Sequence, residues 1–257
     1  MNNYWLLDRP IAHRGFYSKE KGIPENSLPA FKRAIEHDFN IELDIQVTKD
    51  GKVVVFHDQN AKRMTGVDKH ITEMTYEEFK NLRLDGLDIN PPSLQEVFDL
   101  VQDKVGIVIE LKSLVFSPTF RLERYASKEL KSYNGRYCIK SFNPLTEVWF
   151  FNHHHKVLRG ILSGLDKDWI NKLFAFAFPF SNFISFNIKQ MPNPLVQKCF
   201  RNRKKPAICW TVNSQDGIEL VKKYADNIVF EALEADVVEA YYEYNKQIIK
   251  DYPLFKV

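Results

Sequence analysis

The sequence predicts an α/β fold, a (β/α)8 TIM barrel with a small hairpin arm after strand 2. Short β-type runs alternate with helix-type runs from end to end, which is typical of a parallel sheet with crossover helices. Eight such β-type runs occur in 257 residues, about the length that this barrel needs. They span residues 10–15, 40–47, 106–111, 136–141, 156–162, 182–187, 206–212 and 226–231. No internal repeat, low-complexity tract or linker interrupts the pattern, so we expect residues 1–257 to form a single domain.

Two of the intervening segments show helical periodicity most clearly. Apolar residues recur on one face through residues 27–37, where Asn26 or Ser27 can cap the helix. The same pattern runs through residues 93–102, directly after a pair of prolines. We therefore predict a helix in each segment.

The hairpin arm is predicted from a short connection. Residues 53–56 form a strand by composition, but only five residues separate them from the strand before. A parallel crossover needs about a dozen residues, so this strand should instead return around an Asp-Gly turn. Counting back from that turn puts Phe56 opposite Asp44 and brings His57 to the level of Glu42.

Charge and cysteine content exclude several classes of protein. The chain carries 36 Lys and Arg against 33 Asp and Glu, a net charge of +3, and 44% of its residues are hydrophobic. These values argue against disorder and give little support for a nucleic-acid partner. The one dense basic run, residues 201–205, is expected to be a solvated loop. Cys138, Cys199 and Cys209 form neither a disulfide framework nor a zinc motif.

Location and surface contacts are predicted from the apolar runs. No signal peptide is visible, and the longest apolar run, residues 173–180, is shorter than the roughly 20 residues that cross a bilayer. We therefore expect a soluble, cytoplasmic protein.

Six of the 20 phenylalanines fall between residues 174 and 186. Packing in the barrel is the favoured explanation, and the alternative is an exposed patch that contacts a membrane surface or a partner subunit.

Acidic side chains indicate a metal site. On the second strand, Glu42 and Asp44 share one face, opposite the apolar residues that should pack under the helices. An isolated pair of this kind is more often a solvated acidic face. The third strand, however, also ends in charged residues on one face, Glu110 and Lys112. Three carboxylates at one end of a barrel form an oxygen cage suited to a divalent cation such as Mg²⁺ or Ca²⁺.

The first strand and the arm add groups for acid–base chemistry. His13 and Arg14 end the first strand, and the arm brings His57 towards the same carboxylates. A lone histidine at a strand end is more often structural, but two that converge on one acidic cluster fit a general acid and a general base. Arg14 offers a planar fork for phosphate, and Lys112 adds a point charge.

A charge count favours a phosphodiester weakly. Three carboxylates, a divalent metal, Arg14 and Lys112 together leave one positive charge, which a single phosphodiester would neutralise if both histidines were uncharged. Glu25 is left out of this count.

Several motifs together resemble the glycerophosphodiester phosphodiesterase family. They occur in the family's order and spacing from residue 12 to residue 112, with weaker similarities up to about residue 213. They are Ala-His-Arg-Gly at 12–15, Pro-Glu-Asn-Ser at 24–27, the acidic strand at 42–51, Val-Val-Val-Phe-His-Asp at 53–58, Glu-Leu-Lys at 110–112, and the weaker 92–94, 141–143 and 209–213.

The resemblance implies a TIM barrel that hydrolyses glycerophosphodiesters to glycerol 3-phosphate and an alcohol. It implies that one divalent metal ion binds Glu42, Asp44 and Glu110, and that His13 and His57 act as acid and base. Which histidine plays which role, and whether water or a glycerol hydroxyl attacks the phosphorus, stay open.

The resemblance also implies a substrate-binding set. Arg14 and Lys112 would contact the phosphate, Glu25 and Asn26 would support or line the site, and Trp210 would flank the substrate. Without the resemblance, Trp210 would be interpreted as a core residue. The last strand departs from the family pattern because Phe230 stands where a small polar residue is common. The resemblance therefore does not define the shape of the pocket for the alcohol, although the implied metal site is unaffected.

Two further groups of residues have alternatives. Asp58 can either orient His57 or cap the arm, and the run His153, His154 and His155 is expected to be a polar loop before the fifth strand, because consecutive residues rarely face one site.

Two other functions compete with the main one. The chain could act on lysophospholipids like a lysophospholipase D, or it could be a catalytically silent barrel that binds a ligand.

Overall fold

The computed structural model describes residues 5–113, 119–164, 178–192, 194–197 and 205–249. The strands in these residues are β1 (Ile11–Ala12), β2 (Asn40–Val47), β3 (Val53–Val55), β4 (Ile107–Leu111), β5 (Tyr137–Ser141), β6 (Leu158–Ser163), β7 (Phe183–Asn187), β8 (Ala207–Val212) and β9 (Asn227–Phe230). The helices are α1 (Trp5–Asp8), α2 (Leu28–Glu36), α3 (Lys62–Thr65), α4 (Tyr76–Lys80), α5 (Leu94–Val101), α6 (Arg121–Ser132), α7 (Pro144–His153), α8 (Pro194–Val196), α9 (Gln215–Tyr224) and α10 (Ala235–Ile249). Short 3-10 turns lie at Ile71–Glu73, Leu84–Gly86, Phe178–Phe180 and Ile188–Gln190.

All strands except β3 form a closed parallel barrel. The order around it is β1, β2, β4, β5, β6, β7, β8 and β9, and β1 pairs with both β2 and β9 to close it. Apolar side chains of the strands, such as Leu43 and Ile109, pack outward in one core cluster with helix residues such as Phe31 and Val97. Burial of each such side chain contributes about 1.5–3 kcal/mol. The predicted (β/α)8 fold is confirmed.

The predicted bounds of the first strand are wrong. We expected residues 10–15, but β1 is only Ile11–Ala12. The backbone turns immediately afterwards, because Arg14 and Gly15 both have positive φ, 53° and 80°. A Cβ atom on Gly15 would lie 2.9 Å from the Cβ of Ala30. The turn therefore packs directly on α2, and it aims the side chains that precede it into the barrel mouth.

The hairpin arm has the predicted register. Strand β3 pairs antiparallel with β2, with Ile45 opposite Val55. The next backbone N–H, that of Phe56, donates to the carbonyl oxygen of Asp44 at 2.9 Å. The arm is larger than we predicted, since apolar side chains between Val54 and Leu84 form a separate buried cluster.

Both predicted helices form, with identified caps. The hydroxyl of Ser27 accepts the backbone N–H of Ala30 at 3.3 Å and caps α2, so Asn26 is available for another contact. Ser93 and Glu96 form a capping box at the start of α5, an arrangement that satisfies two otherwise unpaired backbone donors.

The phenylalanine-rich region is only partly described. Phe183 and Phe186 are buried in the barrel, at 0% and 1% exposure, which agrees with packing rather than an exposed patch for these two. The described residues do not include Phe174, Phe176, the side chain of Phe178, Cys199 or residues 201–204.

Cys138 and Cys209 are buried free thiols. None of the helices in the described ranges combines the length and the apolar character that a membrane crossing requires.

Candidate active site

The carboxyl ends of neighbouring strands bring charged side chains into one mouth of the barrel. The strand register places Asp44 beside Glu110, and Glu110 beside Lys140. Glu42 lies two residues before Asp44 on β2. Because the alternate residues of these strands pack outward under the helices, the four charged side chains point into the barrel.

The three predicted metal ligands form one compact cluster. Glu42, Asp44 and Glu110 each offer an oxygen, and these oxygens lie within 4.8 Å of one another. Burial alone would raise the pKa of Glu42, but nearby positive charge, chiefly that of Lys140, holds the pKa below its ordinary value. Burial would likewise raise the pKa of Asp44, but Lys112, Arg14 and the hydrogen bond from Asn26 help to hold that pKa below its ordinary value. Both carboxyl groups are therefore ionised at neutral pH.

Three cations surround these carboxylates. The ammonium of Lys112 lies 2.7 Å from Glu110 Oε1 and 3.4 Å from Asp44 Oδ1. Arg14 donates its backbone N–H to Glu42 Oε2 at 3.0 Å, and its side-chain Nε lies 3.6 Å from Asp44 Oδ2. Burial would lower the pKa of Lys112, but the nearby carboxylates raise it above its ordinary value.

The third cation, Lys140, was missed by the sequence analysis. Its ammonium lies 2.9 Å from Glu42 Oε1 and 3.6 Å from Glu110 Oε2. Counting it alters the charge balance, because three carboxylates now face three basic side chains. The earlier count, which left one positive charge in a metal-loaded site, was too low. A signal was present in the sequence, since Lys140 is a charged residue near the carboxyl end of the strand that follows the strand of Glu110.

Each predicted histidine is held by a carboxylate. His13 Nδ1 lies 2.6 Å from Glu231 Oε2, which also accepts the hydroxyl of Tyr17 at 3.1 Å. His57 Nδ1 lies 2.6 Å from Asp58 Oδ1. Asp58 therefore contacts His57, as expected if it orients this histidine rather than only capping the arm. The hydrogen bond from His13 holds the pKa of Glu231 below its ordinary value. In both histidines, Nε2 is the nitrogen left for a further partner.

Glu25 and Asn26 contact protein groups of the site. Asn26 donates its amide Nδ2 to Asp44 Oδ2 at 2.9 Å. Glu25 Oε1 accepts from Arg14 at 2.8 Å and from Arg63 at 2.6 Å. Arg63, on α3 of the arm, also contacts Asp58. The arm is thereby connected to the loop that carries Glu25.

Comparison with known proteins gives the same assignment as the motifs. The model of the glycerophosphoryl diester phosphodiesterase family matches residues 13–231. A glycerophosphodiester phosphodiesterase from Caldanaerobacter subterraneus is 37% identical over 234 residues, which are 85% of this chain and 92% of that protein.

The chain belongs to this family.

Solved structures agree in fold. A glycerophosphodiester phosphodiesterase from Thermotoga maritima is similar with a TM-score of 0.71 at 26% identity, over 91% of this chain and 96% of that one. A phosphodiesterase from Oleispira antarctica, solved in complex with the product sn-glycerol-3-phosphate, has a TM-score of 0.76 at 21% identity and covers 98% and 100%. At that identity the second likeness concerns the fold alone.

The departure from the family pattern in the last strand lies away from the barrel mouth. Phe230 is 1% exposed and packs edge-to-face on Phe39 at 5.2 Å and on Phe16 at 5.8 Å. These contacts lie in the layer between strands and helices. Phe230 therefore lies outside the barrel mouth, and the next residue, Glu231, is the one that reaches His13.

Trp210 lies at the carboxyl half of β8 and faces the barrel interior. It packs against the inner apolar cluster and contacts the ring of Phe142 at 5.7 Å, edge-to-face. Its indole Nε1 is buried and has no hydrogen-bond partner among the described residues. Trp210 thus has both a core contact and an unpaired donor within the barrel.

The histidine run does not form a site. His153 is the last residue of α7 rather than part of a loop. Its ring stacks on the ring of Trp149, with 4.4 Å between the ring centroids. His154 follows the helix and lies near the hydroxyl of Ser127. The interpretation of residues 153–155 as a polar loop was therefore wrong for His153, and the rings of His153 and His154 have different partners.

Proposed function

We propose that this protein hydrolyses glycerophosphodiesters to glycerol 3-phosphate and an alcohol. The observation that carries the proposal is the arrangement at the barrel mouth. A buried three-carboxylate cluster lies beside two histidines, each fixed at Nδ1 by its own carboxylate. This combination provides a cation site next to two groups that can transfer protons.

The donor set fits a divalent metal ion. Oxygen ligands of this kind bind hard cations, so Mg²⁺ or Ca²⁺ would be held by Glu42, Asp44 and Glu110. One observation supports the fit directly: Glu42 Oε1 is buried and accepts no well-aligned hydrogen bond from the described residues, although Lys140 lies close. When bound, the metal supplies positive charge for the phosphate oxygens.

The basic side chains position the phosphate in this proposal. Arg14 presents a guanidinium and Lys112 an ammonium to the same mouth, each already held by carboxylates. Their pKa values are raised by these carboxylates despite burial, so both stay charged. They would hold the non-bridging oxygens and stabilise the charge that develops in the transition state. Trp210 would flank the substrate.

Proton transfer is assigned to His13 and His57. One neutral histidine takes the proton of the attacking hydroxyl as the new P–O bond forms. The other, protonated beforehand, gives its proton to the alcohol oxygen as the old P–O bond breaks. Glu231 and Asp58 hold the two rings at Nδ1, which directs Nε2 at the reacting atoms. Hydrolysis in ¹⁸O-labelled water, with a search for a cyclic phosphate, identifies the nucleophile.

A coupled assay tests the function. Glycerophosphocholine and glycerophosphoethanolamine are supplied with Mg²⁺ or Ca²⁺, and release of glycerol 3-phosphate is followed with and without a chelator. Release that stops on chelation and returns with metal is the expected result. No release from either substrate would contradict the proposal, and release unchanged by the chelator would remove the metal from it. Lysophosphatidylcholine is tested with release of choline as the readout, because a lysophospholipase D leaves the acyl chain on the glycerol phosphate. Faster turnover of this lipid would favour the lysophospholipase D function instead.

A further inference from the structure

Lys140 is the most deeply placed cation of the barrel mouth. Its side chain is 2% exposed, and it is the one lysine in the buried set of the described residues. Strand β5 places it beside Glu110, and its ammonium lies between two of the three proposed metal ligands. A buried ammonium is costly unless it is paired, so this contact is what makes its position tolerable.

We propose that Lys140 determines the metal affinity of the site. It neutralises the carboxylate cluster in the metal-free protein and competes with the metal ion for the same oxygens. The inference rests on the proposed function, because it concerns the metal that this function uses.

The two oxygens of Glu42 show why competition follows. Oε2 already accepts the backbone N–H of Arg14 at 3.0 Å, whereas Oε1 faces Lys140 at 2.9 Å. A metal ion that binds Oε1 either displaces the ammonium or shares the oxygen with it. Two cations on one carboxylate oxygen repel each other strongly in a buried site, and this repulsion weakens metal binding.

Lys112 differs from Lys140 in one decisive respect. Its side chain is 18% exposed, so its ammonium can move towards solvent or a substrate phosphate when the metal arrives. Lys140, at 2% exposure, has no such route, and its charge stays beside the metal. We therefore assign the competition to Lys140 alone.

Metal titration of four variants tests the proposal. The chelator-treated protein is titrated with Mg²⁺ and with Ca²⁺ by calorimetry. Lys140→Gln keeps a hydrogen-bond donor without the charge, Lys140→Met removes both, and Lys140→Arg keeps the charge. Lys128→Met, at an exposed position on α6, is the matched control. We expect about tenfold or tighter metal binding in the Gln and Met variants, and little change in the Arg variant and the control.

The opposite result overturns the inference. Weaker metal binding in Lys140→Gln would mean that the lysine organises the ligands rather than competing with the metal. If the wild type still hydrolyses glycerophosphodiesters in the coupled assay, that result overturns only the inference about Lys140, and the proposed function stands. If the wild type binds neither metal, the inference falls, and the coupled assay then decides the function separately.

A second measurement covers the case in which the neutral variants do not fold. In wild-type protein labelled with ¹⁵N at lysine Nζ, the ammonium signal of Lys140 is identified by its loss in Lys140→Arg. Addition of Mg²⁺ should shift this signal strongly, whereas the signal of Lys128 should stay in place. An unmoved Lys140 signal at saturating metal would contradict the competition.

Discussion

His13 follows β1 and His57 follows β3, and each histidine has a carboxylate as the partner of its Nδ1. Glu231 lies beyond the last barrel strand, and Asp58 directly follows its histidine. Carboxylates in this position fix the ring and its tautomer. The two histidines are therefore oriented before a substrate arrives.

Replacement of either histidine tests the proposed acid–base roles. His13→Ala and His57→Ala should each lower kcat by about 100-fold or more, because each removes one proton-transfer step. His155→Ala, at an exposed position, is the control and should leave kcat unchanged. The coupled assay measures all three, and nearly normal turnover in both site variants would refute the assignment.

Long-range contacts decide which residues were predictable. Glu42, Asp44, Glu110 and His57 were found because strand alternation and hairpin counting are local rules. Glu231 reaches His13 from the far end of the barrel sequence, and Arg63 of the arm reaches Glu25, through contacts that no spacing in the sequence encodes. Lys140 carried a signal, but its meaning depended on the register of β5 against β4.

At the level of elements, the turn after β1 positions two site residues at once. Gly15 follows His13 and Arg14, and its backbone has a φ of 80° while it packs against α2. A residue with a side chain would be strained there and would also collide with Ala30. The short first strand is thus a consequence of how closely the turn approaches the helix.

Gly15→Ala should affect both stability and turnover. The positive φ alone costs about 1 kcal/mol, and the collision displaces the turn that carries His13. Gly66→Ala is a matched control, because Gly66 has a φ of 75° with nothing within 4 Å of an added Cβ. Both variants should melt at lower temperature, but only Gly15→Ala should lower kcat. Equal turnover in the two would show that the turn tolerates displacement.

Helix α7 buries a carboxyl group outside the site. Burial raises the pKa of Glu147 to about 8, and Arg159 and Ser181 offset only part of this effect. Between the ordinary value and pH 8 the folded protein retains a proton that the unfolded chain loses. The free energy of unfolding should therefore fall as pH rises, by at most about 1.4 kcal/mol per pH unit from this group.

Glu147→Gln removes the titrating group and keeps a hydrogen-bonding side chain. Urea unfolding between pH 5 and pH 8 should show a flatter pH dependence in this variant than in the wild type. Glu73→Gln, at an exposed position, should retain the wild-type slope. A slope unchanged by Glu147→Gln would mean that Glu147 is ionised in the folded protein.

At the scale of the whole molecule, the barrel was predictable because its strands alternate regularly with helices. The closed order of strands and the bounds of seven barrel strands agree with the predictions to within two residues. The extent of the arm was not predictable, because its buried cluster is assembled from short turns and helices without a clear period. The organisation of residues 1–257 as a single domain stays a prediction.

Acid should destabilise the whole barrel through its mouth. The pKa values of Glu42 and Asp44 are lowered in the folded protein, where basic side chains outweigh burial. Their ionised forms therefore stabilise the fold above the ordinary carboxyl value of about 4, and this contribution is lost as pH falls below it. Urea unfolding at pH 6, 5, 4 and 3 should show the loss, with a shallower decline in Asp44→Asn. An equal decline in that variant would place the acid sensitivity elsewhere.

The contact between His13 and Glu231 joins the two ends of the segment that the family model matches. During synthesis, a nascent chain that has emerged to residue 225 already holds the three carboxylates, both lysines and both histidines. It lacks the strand that completes the sheet and the carboxylate that orients His13. In the proposed mechanism, the last barrel strand therefore has two roles, because it closes the sheet on β1 and brings the carboxylate that orients His13.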